Sequence, residues 1–486
     1  MSRIQASEFE AKSQKFLHWF KSLPGATFHD HLDIRDLRFQ EAGRGIIAVS
    51  DIPEDTTLFT IPRTAIINTV TSQLSSLAPS VFAESQQLGE EDGSESDGEP
   101  GAQVPDQWLS LILVMIYEYL NSTASPWKPY LDVLPDSFET PMFWSSDELS
   151  QLQASSIVDK IGKEQADEMF RSKIVPVVTK YESVFYPDGN PKLTDDSLIA
   201  LAHRMGSTIM AYAFDLENEE DMAVSDEDDG WVEDKEAQVM MGMVPMADIL
   251  NADAEFNAHV NHGENDLTVT SLRPIKAGEE VLNYYGPHPN SDLLRRYGYV
   301  TPKHSRYDVV ELPWESTLSA VKETLAIDDN TWGKAISRID PEETEDTFVL
   351  ERETGTTDSN GLLTNPAPPP EIPSDMEEQL QLILKAISKA NPGLQLDKVK
   401  RKAVGQTVAS RVFEAKLAQY PTTLEEDRAL LSDPRIGRRQ KMALFVRIGE
   451  KALLREALDL IRVHHDENGI SVEEGGPPRK KTRVHG

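Results

Sequence analysis

The chain has 486 residues, enough for two to three domains, and 39% of them are hydrophobic, which supplies the cores. A formal net charge of -34 is repelled by a phosphate backbone, so direct nucleic-acid binding is excluded as a first reading and basic proteins or peptides are the complementary partners. The absence of cysteine removes disulfide scaffolds, thiol catalysis and cysteine-bound zinc or iron–sulfur centres, and fits an intracellular protein.

Residues 1–21 carry Phe9, Phe16, Trp19 and Phe20 at helical spacing among charges, without the apolar core of a signal peptide. Segments 45–52 and 57–67, rich in Ile, Val and Thr, read as strands joined by a turn at 53–55. Eight acids and no Lys or Arg fall in 84–106, and twelve acids against Lys235 fall in 215–236. Together these insertions carry nineteen of the net negative charges, and such composition buries too little apolar area to order itself. The apolar run 108–120 contains Glu118 and is shorter than the roughly 20 residues of a bilayer span, so it reads as a buried helix capped by Asp106, with no membrane partner. The rest of 108–214 is helical in period, with Ser145 or Ser146 and Thr194 as caps.

Residues 259–282 read as a meander with turns at His262-Gly263 and Lys276-Ala277-Gly278. A break at 354–373 is stiffened by Pro366, Pro368, Pro369 and Pro370. Beyond it the period is helical, with capping boxes expected at Ser374/Glu377 and Thr423/Glu426 and a long helix over 436–465. The tail holds Arg479, Lys480, Lys481 and Arg483, a pattern of a nuclear-import signal or of a solvated end. His29, His31, His259 and His262 lack the spacing of metal ligands, and no metal site is expected. There is no internal repeat.

Three short pieces could carry chemistry. Gly43-Arg44-Gly45 enters a strand and lets backbone approach a ligand, although such pairs are also ordinary turns, and Ala48 replaces the third glycine of a phosphate-binding fingerprint. The stretch 245–251 ends on Asn251, with Asn257 beyond, and both residues suit either an adenine or amino-acid ligand or a turn. Tyr285 before Gly286, with Tyr297 and Tyr299 on either side of Gly298, sets three phenols against glycines that let the backbone bend and turn a ring into a cavity.

In their order, these pieces resemble the SET-domain protein-lysine N-methyltransferases, in the branch that holds the Rubisco large-subunit methyltransferase and the ribosomal lysine methyltransferases. Segments 126–130 and 141–144 are similar to that branch's insert. The resemblance covers about 15–310, and the region after Pro373 is similar to the branch's substrate-binding domain. It implies an α+β chain: a SET-domain β-fold over 15–310 with a helical insert at about 106–214, a connecting segment over 311–373, an all-helical substrate-binding domain over 374–466 and a disordered basic tail over 467–486. The absence of cysteine points to this zinc-free branch.

The implied reaction is methyl transfer from S-adenosylmethionine to a protein lysine. By the resemblance Tyr285 is the catalytic tyrosine, and Gly43, Arg44, Gly45, Tyr212, Asn251, Ala252, Tyr285 and Tyr297 contact the methyl donor. Trp108 and Tyr299 face the substrate. The family motif pairs Asn with His where this chain has Ala252, so backbone contacts of that pair survive and an imidazole hydrogen bond does not. The branch implies a basic substrate, a large-subunit ribosomal protein that is monomethylated, and the tail implies a nuclear location, with the cytoplasm as a second one; a monomer is expected. Two other readings stay open: an inactive SET-fold module that grips basic tails, and a lysine methyltransferase acting on a chromatin or signalling protein.

Overall fold

The structure is a computed structural model that describes residues 3–83, 107–187, 191–216, 240–340, 344–353, 355 and 365–467. The acidic segment 84–106, most of 215–236, part of the 354–373 break and the basic tail lie outside the described residues, as does Asp106. Two compact units are present: Met1–Ser146 with Asp159–His304, and Asp147–Val158 with Ser305–Gly486.

In the first unit, helix α1 (Arg3–Ser22) buries Phe16 and Phe20 completely. Strands β1 (Thr27–Phe28), β4 (Thr57–Pro62), β9 (Asp266–Ser271) and β8 (Ala258–His262) form an antiparallel sheet in the order β1-β4-β9-β8. Along β9, Leu267, Val269 and Ser271 are buried in strict alternation, the period of a strand with one covered face. A second sheet has the order β2-β3-β10-β7, from β2 (Leu32–Asp36), β3 (Arg44–Ala48), β10 (Glu280–Asn283) and β7 (Asn251–Ala252), and β5 (Ala213–Leu216) pairs antiparallel with β6 (Met240–Met243). In it β10 pairs antiparallel with β3 and parallel with β7, so it brings the Gly45 and Asn251 segments side by side.

Two expectations need correction here. The meander over 259–282 holds only for β8 and β9, because β10 leaves their sheet for the second one. The strands near the start are also shorter than 45–52 and 57–67: Ile52 makes a single bridge to Ile275, and Arg63–Ala65 curls into a 3-10 turn whose Arg63 side chain donates to the carbonyl of Gly263.

Helix α2 (Gln107–Leu120) is buried along most of its length, and the hydroxyls of Ser72 and Ser125 donate to its Glu118 carboxylate. Helix α3 (Asp195–Tyr212) starts on Thr194, whose side chain accepts from the Ser197 amide as the sequence leads one to expect. Its C-terminal residue is Tyr212. Helix α4 (Asn290–Tyr297) stops at Gly298, which has φ 75°. A Cβ at Gly298 would stand 3.0 Å from the backbone nitrogen of Thr140, so glycine answers both the left-handed turn and the close approach.

The second unit pairs β11 (Val310–Pro313) with β12 (Thr347–Leu350) and packs α5 (Ser374–Ala390), α6 (Lys398–Ala418), α7 (Leu424–Leu431) and α8 (Arg438–Glu467). The Thr423/Glu426 capping box forms with both of its hydrogen bonds. The Ser374/Glu377 box does not. Pro373 occupies the cap position, Ser374 is already helical, and the Glu377 amide donates to the Pro373 carbonyl instead.

A buried polar cluster joins α7, α8 and the segment Asp147–Val158. Arg447 and Lys451 both donate to Asp427, with side chains 2% and 1% exposed against 0% for the carboxylate. Arg447 also donates to the Gln151 carbonyl and Lys451 to that of Thr422. Glu450 accepts from Ser155 and Tyr420. Burial pushes the Glu450 carboxyl up to about 7 despite these two donors. A carboxyl raised on folding stabilises the protein fully below its unfolded value and loses that contribution as pH climbs through the folded one. Between pH 4.5 and 7 this group therefore removes up to about 3 kcal/mol of stability. Glu450→Gln is expected to flatten the fall in melting temperature across that window; an unchanged slope would show that other groups set it.

Candidate active site

The site grows out of the second sheet. Asn251 Nδ2 donates to the Arg44 carbonyl at 2.9 Å and to Glu280 Oε1 at 2.7 Å, tying β7, β3 and β10 together at one point. Glycine at position 45 is what lets these groups meet. A Cβ there would lie 2.4 Å from Leu37 Cδ1, 2.5 Å from Glu280 Oε1 and 3.1 Å from Asn251 Nδ2. Gly45→Ala is thus expected to cost about 1–3 kcal/mol by overpacking and to break the Asn251–Glu280 bond. Thermal unfolding checks this, and wild-type stability in the Ala variant would contradict it.

Gly43 has φ 74°, and a Cβ on it would meet nothing within 4 Å, so this glycine serves the turn and leaves open space beside it. Arg44 points toward α1: Nε donates to Ser13 at 3.0 Å, Nη1 donates to the Val133 carbonyl at 2.8 Å, and the guanidinium lies 3.9 Å from the Phe9 ring centre. Arg38 lies 3.7 Å from the same ring, so Phe9 has a cation against it twice. Burial lowers Arg44 to about 10, which keeps it charged at neutral pH.

These residues border a cavity of about 600 Å³ whose lining includes Phe9, Gly43, Arg44, Tyr212, Asp248 and Asn251. Burial raises the Tyr212 phenol to about 12, with the Asp248 carboxylate adding to the rise. Asp248 is 8% exposed and sits in the 3-10 turn Ala247–Ile249 just before β7. One of its oxygens accepts from the Tyr130 hydroxyl, and burial pushes the carboxyl up to about 7.

Asn257, fully buried, locks β10 from its other side by donating to the Glu280 carbonyl and accepting from the Leu282 amide. The chain leaving β10 then presents Tyr285, whose hydroxyl donates to the Leu250 carbonyl at 2.9 Å. Its ring stacks on Tyr297 at 4.7 Å and 23°, and Tyr299 follows at 6.2 Å and 55° from Tyr297. Burial holds the phenols of Tyr285 and Tyr299 well above their usual range; the charge of Tyr299 adds to the rise at Tyr285, that of Tyr297 to the rise at Tyr299, and that of Tyr212 to both. The Tyr299 hydroxyl is shielded from water and makes no hydrogen bond among the described residues.

Of the residues singled out from sequence, the structure gathers Gly43, Arg44, Asn251 and Tyr212 at the cavity, with Gly45 next to Arg44 on β3 and off the cavity lining, and Tyr285, Tyr297 and Tyr299 in one aromatic stack. Ala252 joins the group through backbone, pairing with Asn283. Trp108 packs elsewhere, stacked on Phe170 at 6.0 Å with its ring edge against Gly206, inside the helical part of the unit. Phe9, Tyr130 and Asp248 were not singled out. Asp248 carried a signal all the same, as one acid enclosed by apolar residues in the 245–250 stretch. Among the described residues no group of His, Asp and Glu could hold a metal ion, and no helix is long and apolar enough to cross a membrane.

Comparison with known proteins adds the following. A family model described as the SET domain matches residues 43–286, and one described as Rubisco LSMT substrate-binding matches 371–454. Ribosomal lysine N-methyltransferase 4 of Saccharomyces cerevisiae is 32% identical over 324 residues, 65% of this chain and 61% of that protein, so the match spans less than two thirds of that relative's length. Human N-lysine methyltransferase SETD6 is 27% identical over 453 residues, covering 86% of this chain and 84% of its own. The crystal structure of the SET domain of LSMT bound to lysine and AdoHcy superposes with TM-score 0.57 at 18% identity, covering 94% of this chain and 92% of that one.

Proposed function

The chain belongs to the SET-domain family, and on that premise we propose that it transfers a methyl group from S-adenosylmethionine to the ε-amine of a lysine in a basic protein. The observation that carries this reading is the junction of the 600 Å³ cavity with the tyrosine stack: Asn251 and Asp248 border the cavity, and Leu250 between them holds the Tyr285 hydroxyl.

The residues present fit the methyl donor. The cavity volume lies in the range of small-molecule sites. Gly43 leaves its backbone open to an occupant, and Tyr212, Asp248 and Asn251 line the same space. Gly43, Arg44, Asn251 and the Ala252 backbone would hold the donor, with Tyr212 along one wall. When bound, S-adenosylmethionine supplies an electrophilic methyl on a positive sulfur.

The chain's own residues then have two tasks. The first is to present a neutral amine. Taking a lysine of ordinary pKa to neutrality at pH 7 costs about 4.6 kcal/mol, and a buried aromatic surround shifts the equilibrium in that direction by disfavouring the ammonium. Tyr285, Tyr297 and Tyr299 form such a surround. The second task is alignment. Because the Tyr285 proton is committed to the Leu250 carbonyl, the phenolic oxygen is left as an acceptor for an amine N–H, and the Tyr299 hydroxyl adds a second polar group.

The finer reading is that the substrate is a large-subunit ribosomal protein that receives a single methyl, that the protein acts as a monomer and that it works in the nucleus, with the cytoplasm as a second location. The yeast relative's name and the charge of -34 support the substrate class. Incubation of the purified protein with labelled S-adenosylmethionine and ribosomal extract is expected to label one ribosomal protein. Labelling confined to chromatin or signalling proteins would replace the substrate, and donor binding without transfer to any protein would favour the inactive binding module.

A further inference from the structure

We propose that Phe9 is a positioning residue for the methyl donor: through its ring, helix α1 clasps the loop 37–43 that forms one wall of the cavity. The inference rests on the reading of that cavity as the donor site, and it extends the site to a helix that lies ahead of the 43–286 match. The loop joins β2 to β3, and Arg38, Ala42, Gly43 and Arg44 line the cavity. It has little support of its own. Glu41 and Gly43 take φ of 63° and 74°, a region that a side chain such as that of Glu41 keeps only where the surrounding structure imposes it. Phe39 is 78% exposed and anchors nothing, while the Leu37 amide donates to the Gly43 carbonyl at 2.7 Å and closes the neck of the loop.

The missing support comes from α1. Arg38 inside the loop and Arg44 just past its end set their guanidinium carbons 3.7 and 3.9 Å from the Phe9 ring centre. Two planar groups that close cannot share one face, so the ring lies between them. Its π faces attract both cations and keep apart two like charges that would otherwise repel. Both guanidiniums are also aimed at the ring from the side. Asp36 accepts from Arg38 with its two oxygens, and Ser13 accepts from Arg44 Nε while its own hydroxyl donates to the Phe9 carbonyl. Glu8, Phe9 and Lys12 of the same helix line the cavity beside the loop. With both arginines fixed, the backbone at Gly43 and Arg44 faces the cavity in one arrangement, and the donor binds without having to order it.

The test is calorimetric titration of the full chain, of Phe9→Leu and of Phe9→Tyr with S-adenosylmethionine and, separately, S-adenosylhomocysteine, beside thermal unfolding of each protein. Leu keeps apolar bulk without a π face, and Tyr keeps the face. Phe9→Leu is expected to bind both ligands about tenfold more weakly, since the clasp acts on the cavity wall and not on the methyl, and Phe9→Tyr to bind them as the wild type does. A role in packing alone would lower the melting temperature of Phe9→Leu and leave the affinity of the folded protein unchanged; that result, or equal loss in the two variants, would overturn the proposal. Wild-type protein that binds neither ligand would remove the donor-site reading itself, and this inference with it. Should Phe9→Leu fail to fold, hydrogen exchange of the wild type decides: the bonded amides of Leu37 and Ala42 are expected to be protected before any donor is added, and protection that arises only with donor would overturn the clasp.

Discussion

Tyr285→Phe is expected to lower turnover about a hundredfold or more, the range for losing a positioned polar group at a reacting centre, while leaving donor affinity near the wild-type value. The variant keeps the ring that stacks on Tyr297 at 4.7 Å. It loses only the hydroxyl, whose one described hydrogen bond goes to the Leu250 carbonyl. Stability should therefore change by about 1 kcal/mol. Single-turnover transfer together with calorimetry separates the two effects. Wild-type turnover in the Phe variant would move the positioning role to another group, and Tyr299, with its buried unpartnered hydroxyl, is the next to test.

Asp427→Asn is expected to destabilise the second unit by about 3–5 kcal/mol, because it strands Arg447 and Lys451, 2% and 1% exposed, without their shared counter-charge. The change is isosteric, so packing is nearly conserved and the loss reports the electrostatics of the triad. Burial alone would raise the Asp427 carboxyl, but the hydrogen bonds from Arg447, Lys451 and Thr422 hold it below the ordinary value. Denaturant unfolding that follows this unit should show the midpoint falling. A change under about 1 kcal/mol would mean that the cations find water or other carbonyls to satisfy them.

What could be read in the sequence follows from how local each signal is. The Thr423/Glu426 box and the Thr194 cap depend on residues three apart, and both form as expected. Ser374/Glu377 has the same spacing and fails, because the preceding Pro373 already sits at the cap and its carbonyl takes the Glu377 amide. Strand existence was legible at β3, β4, β8 and β9. The destination of β10 was not, since alternation along a strand says which face is buried and nothing about its neighbour. The Asn251 side chain, which bonds the Arg44 carbonyl and Glu280, ties β10 to β3 and β7, and Asn257 holds β10 from the segment before β8.

The site divides in the same way. Glycines beside Tyr285, Tyr297 and Tyr299 marked rings set by an unusual backbone, and these three rings do come together. Phe9 reads from sequence only as one more helical core aromatic, because the two arginines that flank it come from residues 38 and 44. Asp248 gives no such sign because the burial that raises its carboxyl to about 7 comes from tertiary packing, and the Tyr130 hydroxyl that draws it back down comes from the distant helical insert. Trp108 shows the converse: an aromatic read as substrate-facing is held against Phe170 by the space that Gly206 leaves.

The most direct measurement of the central claim is mass spectrometry of basic proteins after incubation with S-adenosylmethionine and either wild-type protein or Tyr285→Phe. A lysine that gains a methyl group with the wild type and not with the variant is the predicted result. Tight binding of the donor with no lysine modified in any protein, or equal modification by the two proteins, would contradict it.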